Sequence, residues 1–165
     1  MLNGLTHCST REFVMSCNGE KTGTAMVSTE RLVRRFYDEL WNQFDKTLIP
    51  QLLTTDITFR GSLGRHSVGH DAFGDYMDLV KAAFPDFRNI IDELIVDAVG
   101  HSAFTHLTYR GTHRGELFGV QPTGQLIEYK GTARLENRDG QIADIWVLGD
   151  LHDLMRQLRL GTGST

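Results

Sequence analysis

The chain has 165 residues, of which 40% are hydrophobic and 23% are charged, the composition of one ordinary globular domain. Its formal net charge of -4 and its pI near 5.9 argue against nucleic acid or an anionic membrane as a partner, because both require a basic face. The sequence contains no run of eighteen apolar residues, so we predict no membrane-spanning helix.

The first 25 residues are polar and show no sustained hydrophobic period. We therefore predict a loosely ordered extension over residues 1–25, one domain over residues 26–160 and a flexible tail over residues 161–165. Cys8 and Cys17 both fall in the extension, and they have neither the number nor the spacing of a metal site or a disulfide framework. The extension also lacks the apolar core of a signal peptide, so a cytoplasmic, reducing setting is the expectation.

The first predicted helix spans Thr29 to Asn42, with Ser28 or Thr29 as its N-cap. Its apolar residues recur at helical spacing, at Leu32, Val33, Phe36, Leu40 and Phe44. Tyr37 and Trp41 lie one step off this stripe. Their apolar rings with polar tips suit the wall of a pocket, and ordinary helix packing is the alternative.

The middle of the chain predicts a helical turn from Leu48 to Leu53, a short strand from Asp56 to Arg60 and a loop from Gly61 to Gly69. A second helix begins at His70 and is stopped by Pro85. Its apolar stripe consists of Phe73, Tyr76, Met77, Val80, Ala83 and Phe84.

Four strands follow the second helix, and a short helix beginning at Leu151 closes the chain. The third strand alternates strictly, with one face made of Ile127, Tyr129, Gly131, Ala133 and Leu135. Asp139-Gly140 supplies the hairpin turn to the last strand. The predicted strands are Arg88–Val99, Ala103–Arg110, Leu126–Glu136 and Gln141–Leu148. Helices collected on one side of an antiparallel sheet make an α+β domain.

Several segments resemble one known family. RGTHRGELFGVQPTG (Arg110–Gly124), DGQI, Trp146 and DLHDLMRQL are similar to segments of the SnoaL-like polyketide cyclases of the NTF2-like superfamily. AAFPDFRN after the second helix and RFYDELWNQFD in the first helix fit the same family. The resemblance covers about residues 28 to 160, and it is specific for the family rather than for one reaction.

The resemblance implies a cone-shaped, curved antiparallel sheet with three helices packed across its concave face and a deep pocket inside. Enzymes of this family close a polyketide ring by intramolecular aldol condensation, with no metal or cofactor, and a pocket carboxylate acts as acid and base. Relatives on the same scaffold isomerise steroids, hydrolyse epoxides or only bind a ligand. One position departs from the family pattern, because Val147 follows Trp146 where an acidic residue is expected.

Asp150 is the remaining acidic residue near that position, and it is the predicted acid/base. It follows Trp146 and Leu148 on one strand face, and partial burial among apolar groups would raise the pKa of its carboxyl towards working pH. The alternative is that Asp150 only caps the helix beginning at Leu151.

His113, within the glycine-rich segment, is the second catalytic candidate, as a hydrogen-bond donor or proton shuttle; a loop residue bonded to local backbone is its alternative. The Trp146 indole and the Tyr37 or Tyr129 hydroxyl are candidate oxyanion donors. His66 and His70 have a His-x-x-x-His spacing but lie in a predicted loop, so no metal site is predicted. The predicted substrate-binding residues are Tyr37, Trp41, Phe59, His66, Tyr109, Phe118, Tyr129, Asp144 and Trp146, with a paired surface carboxylate as the alternative for Asp144.

Two classes of function remain open from the sequence. One is a cofactor-free cyclase or isomerase acting on a small apolar carbonyl compound, and the other is a binding module without catalysis. A homodimer or higher homo-oligomer is also predicted, because the convex face of such a sheet must be covered. Ile145 and Val147 are then expected in the interface, opposite the cavity.

Overall fold

The computed structural model describes residues 18–161, so Cys8, Cys17 and residues 162–165 lie outside its description. Its helices are α1 (Asn18–Arg35), α2 (Ile49–Leu52), α3 (Gly69–Ala83) and α4 (Leu151–Gly161), with a π-helical segment at Phe36–Trp41 and a 3₁₀ turn at Lys46–Leu48. Its strands are β1 (Leu53–Arg60), β2 (His66–Val68), β3 (Arg88–Val96), β4 (Ser102–Thr112), β5 (Leu126–Arg138) and β6 (Gln141–Gly149). In this range no helix is long and apolar enough to cross a membrane.

The first helix begins earlier than the sequence pattern predicted. It begins at Asn18, and Thr29 lies inside it rather than at its N-cap. The Thr29 side chain is buried, with its hydroxyl donating to the carbonyl of Gly100 at 2.5 Å and accepting from Nδ2 of Asn137 at 2.6 Å. These bonds tie α1 to the β3–β4 turn and to the end of β5, so Thr29 has a tertiary role.

One sheet of six strands holds the domain together, in the order β2-β1-β6-β5-β4-β3. The fold is α+β, as predicted, but the sheet is mixed because β1 runs parallel to β6. Register shifts interrupt β3 between Ile91 and Glu93 and β5 between Glu136 and Asn137. Such bulges bend a strand and increase its twist, so they curve the sheet around the helices.

The predicted alternation of β5 is confirmed. Ile127, Tyr129, Ala133 and Leu135 are buried, whereas Glu128, Lys130 and Arg134 are exposed. The same inner face continues on β4 through Ala103, Thr105, Leu107 and Tyr109. The main core lies between this face and the helical residues of α1, the π-helical segment and α3.

α4 follows β6 in the chain and contacts the part of β5 that β6 leaves unpaired. The pairing of β5 with β6 stops at Gly131 and Gly149, so the earlier part of β5 extends past the end of its neighbour. Gln157 bonds to the backbone there, because its Oε1 accepts from the Glu128 N–H at 3.1 Å and its Nε2 donates to the Glu128 carbonyl at 2.6 Å. Leu154 and Leu158 are fully buried and fix α4 in place.

Candidate functional site: a closed aromatic cavity

A small cavity lies between the helices and the inner face of the sheet. The space open to the centre of a water molecule is about 30 Å³, which is room for about two waters. Its walls come from six parts of the chain: Phe36, Tyr37, Trp41, Phe59, Ser62, Tyr76, Val80, Phe87, Asn89, Tyr109, Ile145 and Val147. The structure thus brings Tyr37, Trp41, Phe59 and Tyr109 together at one cavity, and their role in substrate binding stays a prediction.

The π-helical segment places side chains in the wall of the cavity. The backbone N–H of Asn42 bonds to the carbonyl of Tyr37, five residues earlier, and this wider turn carries Tyr37 and Trp41 in the wall. π-helical turns are rare and occur often at functional sites. Asn42 then holds the segment to β3, because its Oδ1 accepts from the Asn89 N–H at 2.7 Å and its Nδ2 donates to the Asn89 carbonyl at 3.0 Å.

Aromatic rings close the cavity by edge-to-face contacts. The ring centroid of Trp41 lies 5.7 Å from that of Phe73, 6.0 Å from that of Tyr76 and 6.4 Å from that of Phe87. Phe87 in turn stacks on Tyr109 at 5.9 Å. A wall of this kind suits an apolar ligand, and it leaves orientation to the few polar atoms among the rings.

The hydroxyl groups of Ser62 and Tyr76, which line the cavity, form a cluster with that of Tyr129, which is not among the lining residues, and we call these three residues the hydroxyl cluster. The Ser62 Oγ lies 3.4 Å from the hydroxyl of Tyr76 and 3.4 Å from that of Tyr129. The backbone N–H of Leu63 donates to the Tyr76 hydroxyl at 3.3 Å. These are long contacts for O–H donors, whose usual distance is about 2.7–2.8 Å, so each hydroxyl keeps capacity for a better partner.

Glycines make room for this cluster and for Tyr109 of the cavity wall. A Cβ on Gly61 would lie 2.3 Å from Cζ of Tyr76, and one on Gly131 would lie 2.4 Å from Cε2 of Tyr109. Both distances are shorter than real Cβ contacts, so neither position accepts a side chain while the tyrosines stay where they are. Gly149 is similar, since its Cβ would lie 2.9 Å from the carbonyl oxygen of Ser62.

All four tyrosines of the chain are buried around the cavity. Burial raises the pKa of Tyr37, Tyr76, Tyr109 and Tyr129, because a phenolate would lose its hydration. For Tyr76, the Ser62 hydroxyl, the Leu63 N–H and the charges of Arg60 and Arg65 lower the pKa and offset part of this effect. The tyrosines are therefore neutral hydrogen-bond donors at working pH.

Asp150 does not line the cavity. Its side chain is exposed, and its Oδ1 accepts from the Asp153 N–H at 2.9 Å, which is the N-cap bond of α4. The apolar setting predicted for its carboxyl is wrong, because Trp146 is 41% exposed and Leu148 is 50% exposed. Its catalytic role stays a prediction.

The prediction of which β6 side chains face the cavity is also wrong, because the two faces of the strand are exchanged. Ile145 and Val147 line the cavity, and Trp146 points to the outer face of the sheet. The predicted placement of Ile145 and Val147 in an interface is therefore wrong. Asp144 shares the outer face with Trp146, where its Oδ2 pairs with Arg134 at 3.1 Å, as expected for a paired surface carboxylate.

His113 is fully buried, but it is not among the residues that line the cavity. Its ring centroid is 5.6 Å from that of Phe84, and its Nδ1 accepts from the Thr123 N–H at 3.2 Å. Burial lowers the pKa of His113 because it disfavours the imidazolium, while the Gly115 backbone opposes that effect. These contacts fit the local-backbone alternative, and the catalytic role stays a prediction.

The other candidates stay at the surface. His66 is exposed on β2, and Phe118 is 48% exposed in the loop between β4 and β5. His70 contacts the Leu53 carbonyl through Nε2 at 3.1 Å. Over residues 18–161, no group of three or more His, Cys, Asp or Glu side chains is arranged to hold a metal ion.

Sequence reasoning missed Ser62 and Asn89, and it treated Tyr76 only as part of a helical stripe. Ser62 was assigned to a loop and Asn89 to a strand, so neither showed a hydrophobic period that indicates an inward position. The usable signal was the tyrosines themselves, since a buried tyrosine needs a partner for its hydroxyl.

Comparison with known proteins agrees with this architecture. A family model described as SnoaL-like polyketide cyclase matches residues 31–158. A proposed SnoaL-like polyketide cyclase from Jannaschia sp. CCS1 superimposes with a TM-score of 0.74 at 18% identity, over 81% of this chain and 93% of that one. IdmH, a proposed polyketide cyclase from Streptomyces antibioticus, gives 0.69 at 23% identity, over 79% and 98%.

AclR, a proposed hydroxylase from Streptomyces galilaeus, gives a TM-score of 0.70 at 24% identity, over 82% of this chain and 83% of that one. At these identities the structural likeness establishes the fold alone. No match was found among curated proteins. The family model spans most of the chain, including every residue named above in the cavity lining, and the protein belongs to the SnoaL-like polyketide cyclase family.

Proposed function

We propose that the protein binds a small, largely apolar carbonyl compound, of polyketide type, in the aromatic cavity. The observation that carries this proposal is the lining itself, which combines aromatic rings with hydroxyl donors and, within residues 18–161, contains no carboxylate. Neutral donors suit the oxygen of a carbonyl group, and the rings suit an unsaturated carbon skeleton. The family membership supports the same class of ligand.

Ligand entry requires the lining side chains to move, because the cavity holds only about two waters. Trp41 is one of these side chains, and its ring meets Phe44, Phe73, Tyr76 and Phe87 through edge contacts of 5.7 Å or more between centroids. It is also a built-in reporter, because the chain has two tryptophans and the other, Trp146, is on the outer face.

The test uses the variant Trp146→Phe, in which Trp41 is the remaining tryptophan. Aromatic ketones and a polyketide-like ester are titrated, and a saturable change of the Trp41 fluorescence is expected. Trp41→Phe, which keeps Trp146, is the matched control and should show no saturable change. If no such compound changes the Trp41 signal, and calorimetry detects no heat of binding, the proposal fails.

A cofactor-free cyclase or isomerase is the second candidate, and the hydroxyl cluster favours it, because donors of this kind stabilise the negative charge of an enolate. The reaction also needs a base, and Asp150 and His113 are the proposed ones. Asp150→Asn keeps the helix cap and removes the base, so turnover should fall at least about a hundredfold if Asp150 acts. Full turnover in this variant would leave Asp150 as a cap only.

We also propose that two copies pair through the outer face of the sheet. The strand register aligns one row of side chains across five strands, which we call the outer row: Ile95, Phe104, Arg134, Trp146 and Arg60. Its three apolar members are 41% to 54% exposed. Arg134 already pairs with Glu136 and Asp144, and Arg60 donates to the Val147 carbonyl. Arg134 is thus charge-paired within the chain, and the three apolar members suit the same face of a second copy.

A further inference from the structure

We propose that the hydroxyl cluster is an oxyanion subsite, which holds the enolate oxygen of an acidic carbonyl ligand more tightly than a neutral carbonyl. This inference rests on the proposed function and names the ionisation state that the same cavity prefers.

Several hydrogen-bond donors meet at one point. The hydroxyls of Tyr76 and Tyr129 both contact the Ser62 Oγ, and the Leu63 N–H points to the Tyr76 hydroxyl. An enolate oxygen accepts several hydrogen bonds at once, whereas a serine hydroxyl shared between two tyrosines at 3.4 Å satisfies them poorly. A ligand oxygen that reached these groups would replace long contacts by short, charge-assisted ones.

The charges around the cavity favour an anionic ligand. Among the described residues no Asp or Glu lines the cavity, so no negative charge in its wall opposes an anionic ligand. Arg60 and Arg65 act on the oxygen of Tyr76 in the direction that stabilises negative charge, as do the Ser62 hydroxyl and the Leu63 N–H. Charge is costly to bury unless it is hydrogen-bonded, and these groups supply the compensation.

The hydrogen-bond donors of the cluster are also held in place. The loop of Ser62 is closed by the Gly61 N–H bond to the Arg65 carbonyl at 3.0 Å and the Gly64 N–H bond to the Gly61 carbonyl at 2.9 Å. Close packing against Gly61 and Gly149 fixes Tyr76 and Ser62. Donors that are already oriented need no reorganisation when the charge arrives, which is the condition for strong oxyanion stabilisation.

The experiment compares three probes with one carbon skeleton, measured by calorimetry on the wild-type protein at mildly alkaline pH, where 1,3-indandione is ionised. Indane has no oxygen, 1-indanone has one carbonyl, and 1,3-indandione is present as its enolate. We expect 1,3-indandione to bind roughly tenfold more tightly than 1-indanone, a ratio equivalent to about 1.4 kcal/mol. Tyr76→Phe and Ser62→Ala should reduce this ratio to near one, with thermal melting as the check on folding.

Thr105→Val is the matched control. It removes a buried hydroxyl that does not line the cavity and that contacts the Tyr37 hydroxyl at 3.3 Å instead of Ser62, so the ratio should persist. If 1-indanone binds and 1,3-indandione binds no more tightly, the oxyanion subsite is refuted and the proposed function stands. An unchanged ratio in both Tyr76→Phe and Ser62→Ala would refute the subsite in the same way. If none of the three probes binds, the proposed function fails, and the inference falls with it.

Discussion

Single residues decide how tightly the cavity is packed, and Gly131 tests this directly. A Cβ there would lie 2.4 Å from Cε2 of Tyr109 and 3.0 Å from the Leu148 carbonyl oxygen, so Gly131→Ala should destabilise the protein by about 1–3 kcal/mol through overpacking. Gly74→Ala in α3 is the control, because its nearest neighbours lie at 3.8 Å and alanine favours the helix by up to ~1 kcal/mol. Urea denaturation measures both, and equal stabilities would contradict the expected clash.

His113 is the residue that should make stability depend on pH near neutrality. Burial lowers its pKa in the folded protein below the ordinary value of 6.5, so the unfolded chain takes up a proton first as the pH falls. The stabilising contribution is complete above pH 6.5 and is lost as the pH falls through the folded pKa. His113→Gln keeps a polar side chain but does not titrate. Melting temperatures at about pH 7.5, 6.5 and 5.5 should therefore fall more steeply for the wild type, and parallel curves would contradict this account.

At the scale of elements, Asp150 connects β6 to α4. Its Oδ1 accepts from the Asp153 N–H at 2.9 Å, and its carbonyl accepts from the Leu154 N–H at 3.1 Å. Asp150→Ala should lower the free energy of unfolding by about 1 kcal/mol, whereas Asp150→Asn should change it little, because asparagine caps equally well. Chemical denaturation distinguishes the two variants. A similar loss in both would mean that the carboxylate charge, rather than the cap bond, stabilises α4.

β5 and β6 show where the sequence was informative about elements. β5 alternates apolar and charged residues, so its buried face was predicted correctly. β6 carries apolar side chains on both faces, and periodicity alone cannot choose between the face of Ile145 and that of Trp146. The choice is made by the pairing with β5 and β1, which a local pattern does not contain.

Only part of the cavity could be predicted from the sequence, again because a local pattern does not contain tertiary contacts. Tyr37 and Trp41 were predicted to line a pocket because aromatic rings with polar tips suit a pocket wall, and both side chains lie in the wall of the cavity. The hydroxyl cluster was not found as a unit, because its members come from a loop, α3 and β5 and meet only in the folded chain. The π-helical segment was predicted as ordinary helix, since its apolar spacing satisfies both geometries.

At the scale of the whole molecule, the outer row predicts the oligomeric state. Trp146→Glu or Phe104→Glu would replace an apolar side chain of the proposed interface by a charged one, so light scattering should show a shift from dimer to monomer at micromolar concentration. Val99→Glu is the matched control, because Val99 is 54% exposed but lies beyond the end of β3. A wild-type protein that is monomeric at all concentrations, or a dimer unaffected by both outer-row variants, would refute the interface.

The parallel pairing of β1 with β6 governs the order in which the chain can fold. Thr58 and Asp144 are partners although they are 86 positions apart, so this contact closes a long loop, and such topologies fold slowly. Until β6 arrives, β1 has a bare edge and the cavity lacks Ile145 and Val147. The proposed ligand can bind only after β6 has docked. Ligand should therefore slow unfolding and leave the folding rate unchanged, so its protection is kinetic.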